Sequence, residues 1–100
     1  MKIIIVGAGE VGYHFAEWLA QKKKEVVVID IDPEALMRVS DHLDVHILQG
    51  SGANPRVLEE SGLKTADIIL AVTDVDPLPG HALGPPGNLY GDHLVRAQVL

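Results

Sequence analysis

Gly7-Ala8-Gly9-Glu10-Val11-Gly12 is the segment with the clearest capacity for chemistry. It directly follows the apolar run Ile3-Ile4-Ile5-Val6 and directly precedes an amphipathic stretch, which describes a strand turning sharply into a helix. In such a turn Gly7 allows the tight bend, Gly9 lets a pyrophosphate approach the backbone, and Gly12 lets the helix pack against a sheet. The phosphates then rest on the first N–H groups of the helix, which have no intrahelical partner and lie at its positive end. A tight turn with no ligand is the alternative for a glycine motif standing alone.

Asp30 lies 23 residues after Gly7, at the end of the apolar run Val26-Val27-Val28-Ile29. A carboxylate at that distance accepts from the ribose hydroxyls of a dinucleotide. Its charge opposes a 2′-phosphate, and residues 31–36 contain no lysine or arginine to compensate. NAD(H), or another adenosine ligand with free ribose hydroxyls, is therefore favoured over NADP(H). Asp32, just before Pro33, reads as a helix cap before it reads as a ligand group. Gly50-Ser51-Gly52 follows a third apolar run and Thr73-Asp74 ends a fourth. Both are expected to close over the nucleotide, because ligands of open α/β sheets bind beyond the carboxyl ends of the strands. Ordinary polar loops are the other possibility for each.

Groups for bond-making chemistry are harder to find. There is no cysteine, and hence no disulfide, thiolate metal site or thiol nucleophile. No GxSxG elbow occurs. His14 and His81 lack a partner at ligand spacing, and His42 and His46 straddle a helix end and a strand. A nicotinamide dehydrogenase also needs a substrate pocket and a proton-transfer group near the ring. Those usually come from the second half of the sheet and from another domain, so no catalysis is expected from this polypeptide alone.

The elements that must position the turn can be read from periodicity. Residues 2–6 and 26–30 are continuous β-branched runs, the pattern of strands covered on both faces of a parallel sheet. Between them, Val11, Phe15, Ala16, Leu19 and Ala20 recur at helical spacing over 10–22, and Lys22-Lys23-Lys24 suits the helix dipole at its end. Asp32-Pro33 and Asn54-Pro55 each start a helix, the first with Leu36, Val39 and Leu43 as its apolar face and the second with Val57 and Leu58. Gly62 ends the latter as a left-handed cap, with Leu63 packing back. Val45–Leu48 and Ile68–Val72 supply the third and fourth strands. The prediction is an α/β, Rossmann-like doubly wound parallel sheet, βαβαβαβ, incomplete at about four strands in the order 3-2-1-4.

The chain has 100 residues, 47% hydrophobic and 22% charged, which suits one small globular domain. Its net charge of −6 argues against nucleic acid or an anionic membrane as the main partner. No apolar run approaches the ~20 residues of a membrane span, and the N-terminus reads as a strand rather than a signal peptide. Composition then breaks: Pro77, Pro79, Pro85, Pro86 and Gly80, Gly84, Gly87, Gly91 crowd into fifteen positions. Residues 1–74 are expected to form a dinucleotide-binding half-domain. Residues 75–100 are expected to form a divergent Pro/Gly-rich tail, barred from regular helix or central strand over 76–91 and ending in a short helix over 92–99.

With these residues in view, the sequence resembles a known family. Met1 to Gly12, Val28-Ile29-Asp30-Ile31-Asp32, Leu48-Gln49-Gly50-Ser51-Gly52 and Ala66-Asp67-Ile68-Ile69-Leu70-Ala71-Val72-Thr73-Asp74 are similar to the N-terminal domain of Trk-type potassium-uptake regulatory proteins. These are the cytoplasmic KTN or RCK nucleotide-binding subunits. The resemblance covers about three-quarters of the chain. It implies a ligand-gated regulator rather than an enzyme, with NAD(H) or ATP/ADP as ligand. It also implies at least a dimer, held at the inner face of the cell membrane by a potassium-translocating membrane protein. Carried over by position, Gly7, Ala8, Gly9, Glu10 and Val11 would hold the pyrophosphate and Asp30 the ribose, with Gly12 and Ile31 counted beside them among the cofactor-binding residues. Ser51 would lie near the adenosine, and Thr73 and Asp74 would line the ligand from the fourth strand. After Asp74 the likeness stops where the family continues into a helix and two more parallel strands. A truncated or frame-altered gene and a natural short form both account for that. Two other functions fit the residues: the cofactor half of an NAD-dependent oxidoreductase completed by another chain, and a fragment that folds by pairing its exposed fourth strand with a second copy.

Overall fold

The computed structural model describes residues 1–74, 88–90 and 93–99, with side chains described as far as Val72. In chain order the elements are β1 (Lys2–Val6), α1 (Glu10–Gln21), β2 (Glu25–Asp30), α2 (Pro33–His42), β3 (His46–Gln49), α3 (Pro55–Glu60), one 3₁₀ turn (Leu63–Thr65), β4 (Ile68–Asp74), β5 (Asn88–Tyr90) and β6 (His93–Val99). They form one sheet in the order β3-β2-β1-β4-β6-β5. The first four strands are parallel, in the predicted order 3-2-1-4.

The continuous apolar runs are explained by two cores, one on each face of the sheet. Ile3 and Ile5 of β1, Val26 and Val28 of β2, and Leu70 and Val72 of β4 point to one side. There they meet Val11, Ala16 and Leu19 of α1 and Ala35, Leu36 and Val39 of α2. Ile4, Val27 and Ile29 point to the other side, against Val57 and Leu58 of α3 and Leu63 of the 3₁₀ turn. Ile3, Ile4, Ile5, Val28 and Ile29 are almost wholly buried, each stabilising the fold by roughly 1.5–3 kcal/mol relative to an exposed position. The turn that leaves the C-terminal end of β1 thus starts from a strand paired on both edges, with β2 and β4, and covered on both faces.

Local chemistry sets where the helices begin and stop. The Asp32 carboxylate accepts from the N–H of Glu34 at 3.0 Å and the Asn54 side chain from that of Arg56 at 2.9 Å, each with proline at the next position. Gly62 takes the left-handed conformation, with φ of +90°, and Leu63 packs back onto the second core. The three lysines follow directly on the C-terminal end of α1, as expected, with Lys22 as its cap residue. The helix stops at Gln21, before the first of them, and the Lys22 ammonium lies 5.4 Å from the centre of the Trp18 ring.

Beyond Asp74 the structure corrects one expectation. Residues 93–99 form β6, not a helix, and β6 runs antiparallel to β4 with Ile68 opposite Val99 and Asp74 opposite His93. The apolar positions Leu94, Val95 and Val99 are compatible with either period. The unpaired outer edge of β4 decides between them, since its N–H and C=O groups need partners. With β1 on one side and β6 on the other, β4 is an interior strand, so the exposed fourth strand of the fragment hypothesis is not found either. β5 adds three residues at the sheet's edge, antiparallel to β6. The irregular character expected of residues 75–87 lies outside the described residues.

Candidate nucleotide-binding cleft

The glycine motif is the β1–α1 connection, and its three glycines have different surroundings. Gly7 has φ of +115°, and a Cβ there would collide with the carbonyl oxygen of Val72 on the neighbouring strand. A Cβ at Gly12 would collide with the carbonyl oxygen of Gly7 itself. Both positions are therefore closed to any side chain by backbone. At Gly9 a Cβ would meet nothing within 4 Å. Its backbone is extended, a conformation open to any residue, so nothing in the packing of the protein calls for glycine there.

Gly9 is the N-cap of α1, and the first intrahelical bond runs from Tyr13 N–H to the Gly9 carbonyl at 2.8 Å. The N–H groups of Glu10, Val11 and Gly12 are left without an intrahelical acceptor at the positive end of the helix. The turn is held from below by the Gly7 N–H, which donates to the Ile29 carbonyl at 2.8 Å.

Asp30 occupies the centre of a hydrogen-bond system that joins three connections. The Ala8 N–H donates to its Oδ2 at 2.6 Å and the Asp32 N–H to its Oδ1 at 2.9 Å. The Asp30 carbonyl accepts from the Gly50 N–H at 2.9 Å. One half-buried residue thus ties the glycine turn, the start of α2 and the loop after β3 together. A carboxylate offers about four acceptor sites, so two backbone donors leave it capacity for ribose hydroxyls.

Around these groups lies a cleft of about 430 Å³ at the carboxyl ends of β1, β2 and β3. Gly7, Gly9, Val11, Gly12, Asp30, Ile31 and Ser51 line it, as does the Val72 end of β4. Ile31, 70% exposed, offers an apolar side chain at its rim. Ser51 sits in a turn in which its Oγ accepts from the Ala53 N–H at 3.2 Å. Gly52 is pressed against the Val6 side chain. The cleft thus joins unsatisfied N–H donors, a carboxylate with spare acceptor capacity and an apolar wall, the groups that a phosphate, a ribose and a base respectively require.

Nine of the eleven residues expected to bind a cofactor lie in or directly beside this cleft. Seven of these line the cleft itself, while Ala8 and Glu10, the chain neighbours of Gly9, line a second hollow that shares Gly9 with it. The two remaining residues, Thr73 and Asp74, end β4 next to β1, and their side chains lie outside the described residues. Sequence reasoning did not anticipate the link from Ala8 to Asp30, which closes over 22 residues of chain. It also passed over Val6, Ile29 and Val72, whose apolar character had been assigned wholly to the core. No helix among the described residues is long and apolar enough to cross a membrane.

Comparison with known proteins identifies the family of the chain. The family model of the TrkA-N domain matches residues 3–80. The chain is 51% identical over 76 residues to a protein of Methanosarcina mazei named Trk system potassium uptake protein trkA homolog 1. It is 47% identical over 76 residues to the Trk system potassium uptake protein TrkA homolog of Archaeoglobus fulgidus, and 42% identical over 76 residues to the Trk system potassium uptake protein TrkA of Halomonas elongata. In each case 76% of this chain is covered, against only 17–18% of the relative. The chain therefore spans less than a fifth of the length of the relatives it matches. Their names describe potassium uptake and none names an enzyme.

Proposed function

The chain belongs to the TrkA-N domain family, and on that premise we propose that it is the nucleotide-binding regulatory module of a Trk/Ktr-type potassium uptake system. Its ligand is an adenine nucleotide, NAD(H) foremost and ATP or ADP as the second class. The N–H groups of Glu10, Val11 and Gly12 receive the phosphates across the open face at Gly9. Asp30 accepts from the ribose hydroxyls, and Ile31 and Ser51 border the base. Thr73 and Asp74 complete the site from β4. The module acts without catalysing a reaction: ligand occupancy changes the state of a potassium-translocating membrane protein, to which it is bound at the inner face of the membrane as part of a homo-oligomer.

One observation carries this reading. Gly7 and Gly12 are required by the protein's own backbone, whereas Gly9, between them, faces empty space beside unsatisfied N–H donors and Asp30. A turn built only to connect β1 to α1 gains from the third glycine no more than its N-cap preference, which Ser, Asp or Asn would serve better. Isothermal calorimetry of the pure protein with NADH, NAD, ATP and ADP, each to millimolar concentration, tests it. Saturable heat with at least one of them is expected, and none with any of the four would remove the basis of the proposal.

A further inference from the structure

Gly9 borders two hollows, not one. On the α1–α2 side of the glycine turn lies a second cleft, of about 390 Å³, lined by Ala8, Gly9, Glu10, Tyr13, His14, Arg38 and His42. The linings of the two clefts share Gly9, and Ala8, which lines this one, donates its N–H to the Asp30 carboxylate of the other. Their character is different. Among the described residues, the nucleotide cleft is lined by no basic side chain, whereas this one is lined by a guanidinium and two imidazoles, with Glu10 as the one carboxylate among them.

Arg38 is exposed and has no ion-pair partner among the described residues. The wall around it is ordered by local contacts. His42 Nδ1–H donates to the Arg38 carbonyl at 2.9 Å, and the Tyr13 ring packs edge-on against His42 and His14, at 6.4 and 6.1 Å between centres. The sequence argument against an extra phosphate rested on residues 31–36, the stretch directly after Asp30. About one and a half turns into α2, the helix brings a base back beside the glycine turn at position 38, two residues past the end of that stretch.

We propose that this second cleft is a subsite for one further phosphoryl group of the bound nucleotide, with Arg38 as the residue that selects for it. The proposal rests on nucleotide binding at the first cleft and specifies which nucleotides that site prefers. Guanidinium is the side chain suited to a phosphate monoester, through paired charge-assisted hydrogen bonds. The group can come from either of two sources, a 2′-phosphate on the adenosine ribose or a third phosphate extending the pyrophosphate. Asp30, each of whose oxygens accepts from one backbone N–H, keeps its charge and opposes the first. Glu10 opposes either and sets the preference below what Arg38 alone would give.

Calorimetry with two ligand pairs, NADPH against NADH and ATP against ADP, separates the sources. At low salt one pair should show about a tenfold preference for its more phosphorylated member, the lower end for hydrogen bonds to a charged group at an exposed site. Arg38→Gln should bring that ratio to about one, Arg38→Lys should restore part of it, and Glu10→Gln should raise it. A ratio of one or below for both pairs in the unaltered protein overturns the proposal while leaving nucleotide binding intact, as does a preference that survives Arg38→Gln. Absence of binding by NADH and ADP as well as by their phosphorylated counterparts overturns the functional reading and the subsite together.

Discussion

The two sides of the glycine turn are made of the same few residues and follow different constraints. Its inner side, Gly7 and Gly12, is closed by backbone: the Val72 carbonyl stands over one and the Gly7 carbonyl over the other. Its outer side, Gly9 and the N–H groups that follow, is open and faces two clefts. An identical residue type is thus a folding requirement at two positions and a vacancy at the third. A glycine motif read as a unit merges these roles, and substitution should separate them.

The largest effect is expected on the inner side. Gly12→Ala forces a methyl group into the Gly7 carbonyl, with no flexible side chain nearby to yield. It should lower stability by roughly 3 kcal/mol, the upper end of the overpacking range, out of the ~5–15 kcal/mol of a typical domain. Urea denaturation followed by circular dichroism measures this. A midpoint equal to that of the unaltered protein would show that the turn is looser than its geometry indicates.

Asp30 sits on the boundary between the two sides. Asp30→Ala removes the proposed ribose acceptor and should weaken nucleotide binding by roughly 1–3 kcal/mol. It also frees the Ala8 and Asp32 N–H groups to water, which should cost about 1 kcal/mol of stability. Calorimetry and denaturation on the same variant read both. If affinity falls with no change in stability, the carboxylate belongs to the ligand alone and its bond to Ala8 contributes nothing to holding the turn.

Gly9→Ala is the converse of Gly12→Ala. Its Cβ has room in the free protein and an extended backbone to sit on, so stability should change by no more than about 1 kcal/mol, the N-cap preference for glycine over alanine. Affinity should fall by about tenfold or more, because the methyl occupies space a phosphate needs. Retained affinity would place the phosphates elsewhere.

The inner side was far more legible in the sequence than the outer. Continuous runs such as Ile3-Ile4-Ile5-Val6 and Val26-Val27-Val28-Ile29 carry their own evidence for a sheet covered on both faces, and Asp32-Pro33 and Asn54-Pro55 mark helix starts by local chemistry. Together these determine the 3-2-1-4 order and put Gly7 at the end of the central strand. What escaped depends on contacts between distant positions. β6 was read as a helix because Leu94, Val95 and Val99 satisfy both periods, and only the open edge of β4, some twenty-five residues earlier, selects the strand. Arg38 was missed because the search for a base stopped at residue 36, while the helix turns position 38 back toward Ala8 and Gly9. Likewise the Ala8–Asp30 bond spans the whole first βαβ unit and leaves no local trace.

The smallest predicted effect separates Asp32 from the site it borders. Its carboxylate accepts from the Glu34 N–H and caps α2, and only its backbone N–H reaches Asp30. Asp32→Ala retains that N–H and loses the cap. It should lower stability by about 1 kcal/mol, as N-cap substitutions typically do, and leave nucleotide affinity within about twofold. Chemical denaturation and calorimetry with NADH together decide the matter. A loss of affinity comparable to that of Asp30→Ala would make Asp32 a second ribose acceptor, and the outer side of the turn would then extend one residue further along the chain than the cleft's present lining shows. A loss of stability alone keeps the two carboxylates, though only two residues apart, on opposite sides of the same division: one faces the ligand and the other the helix.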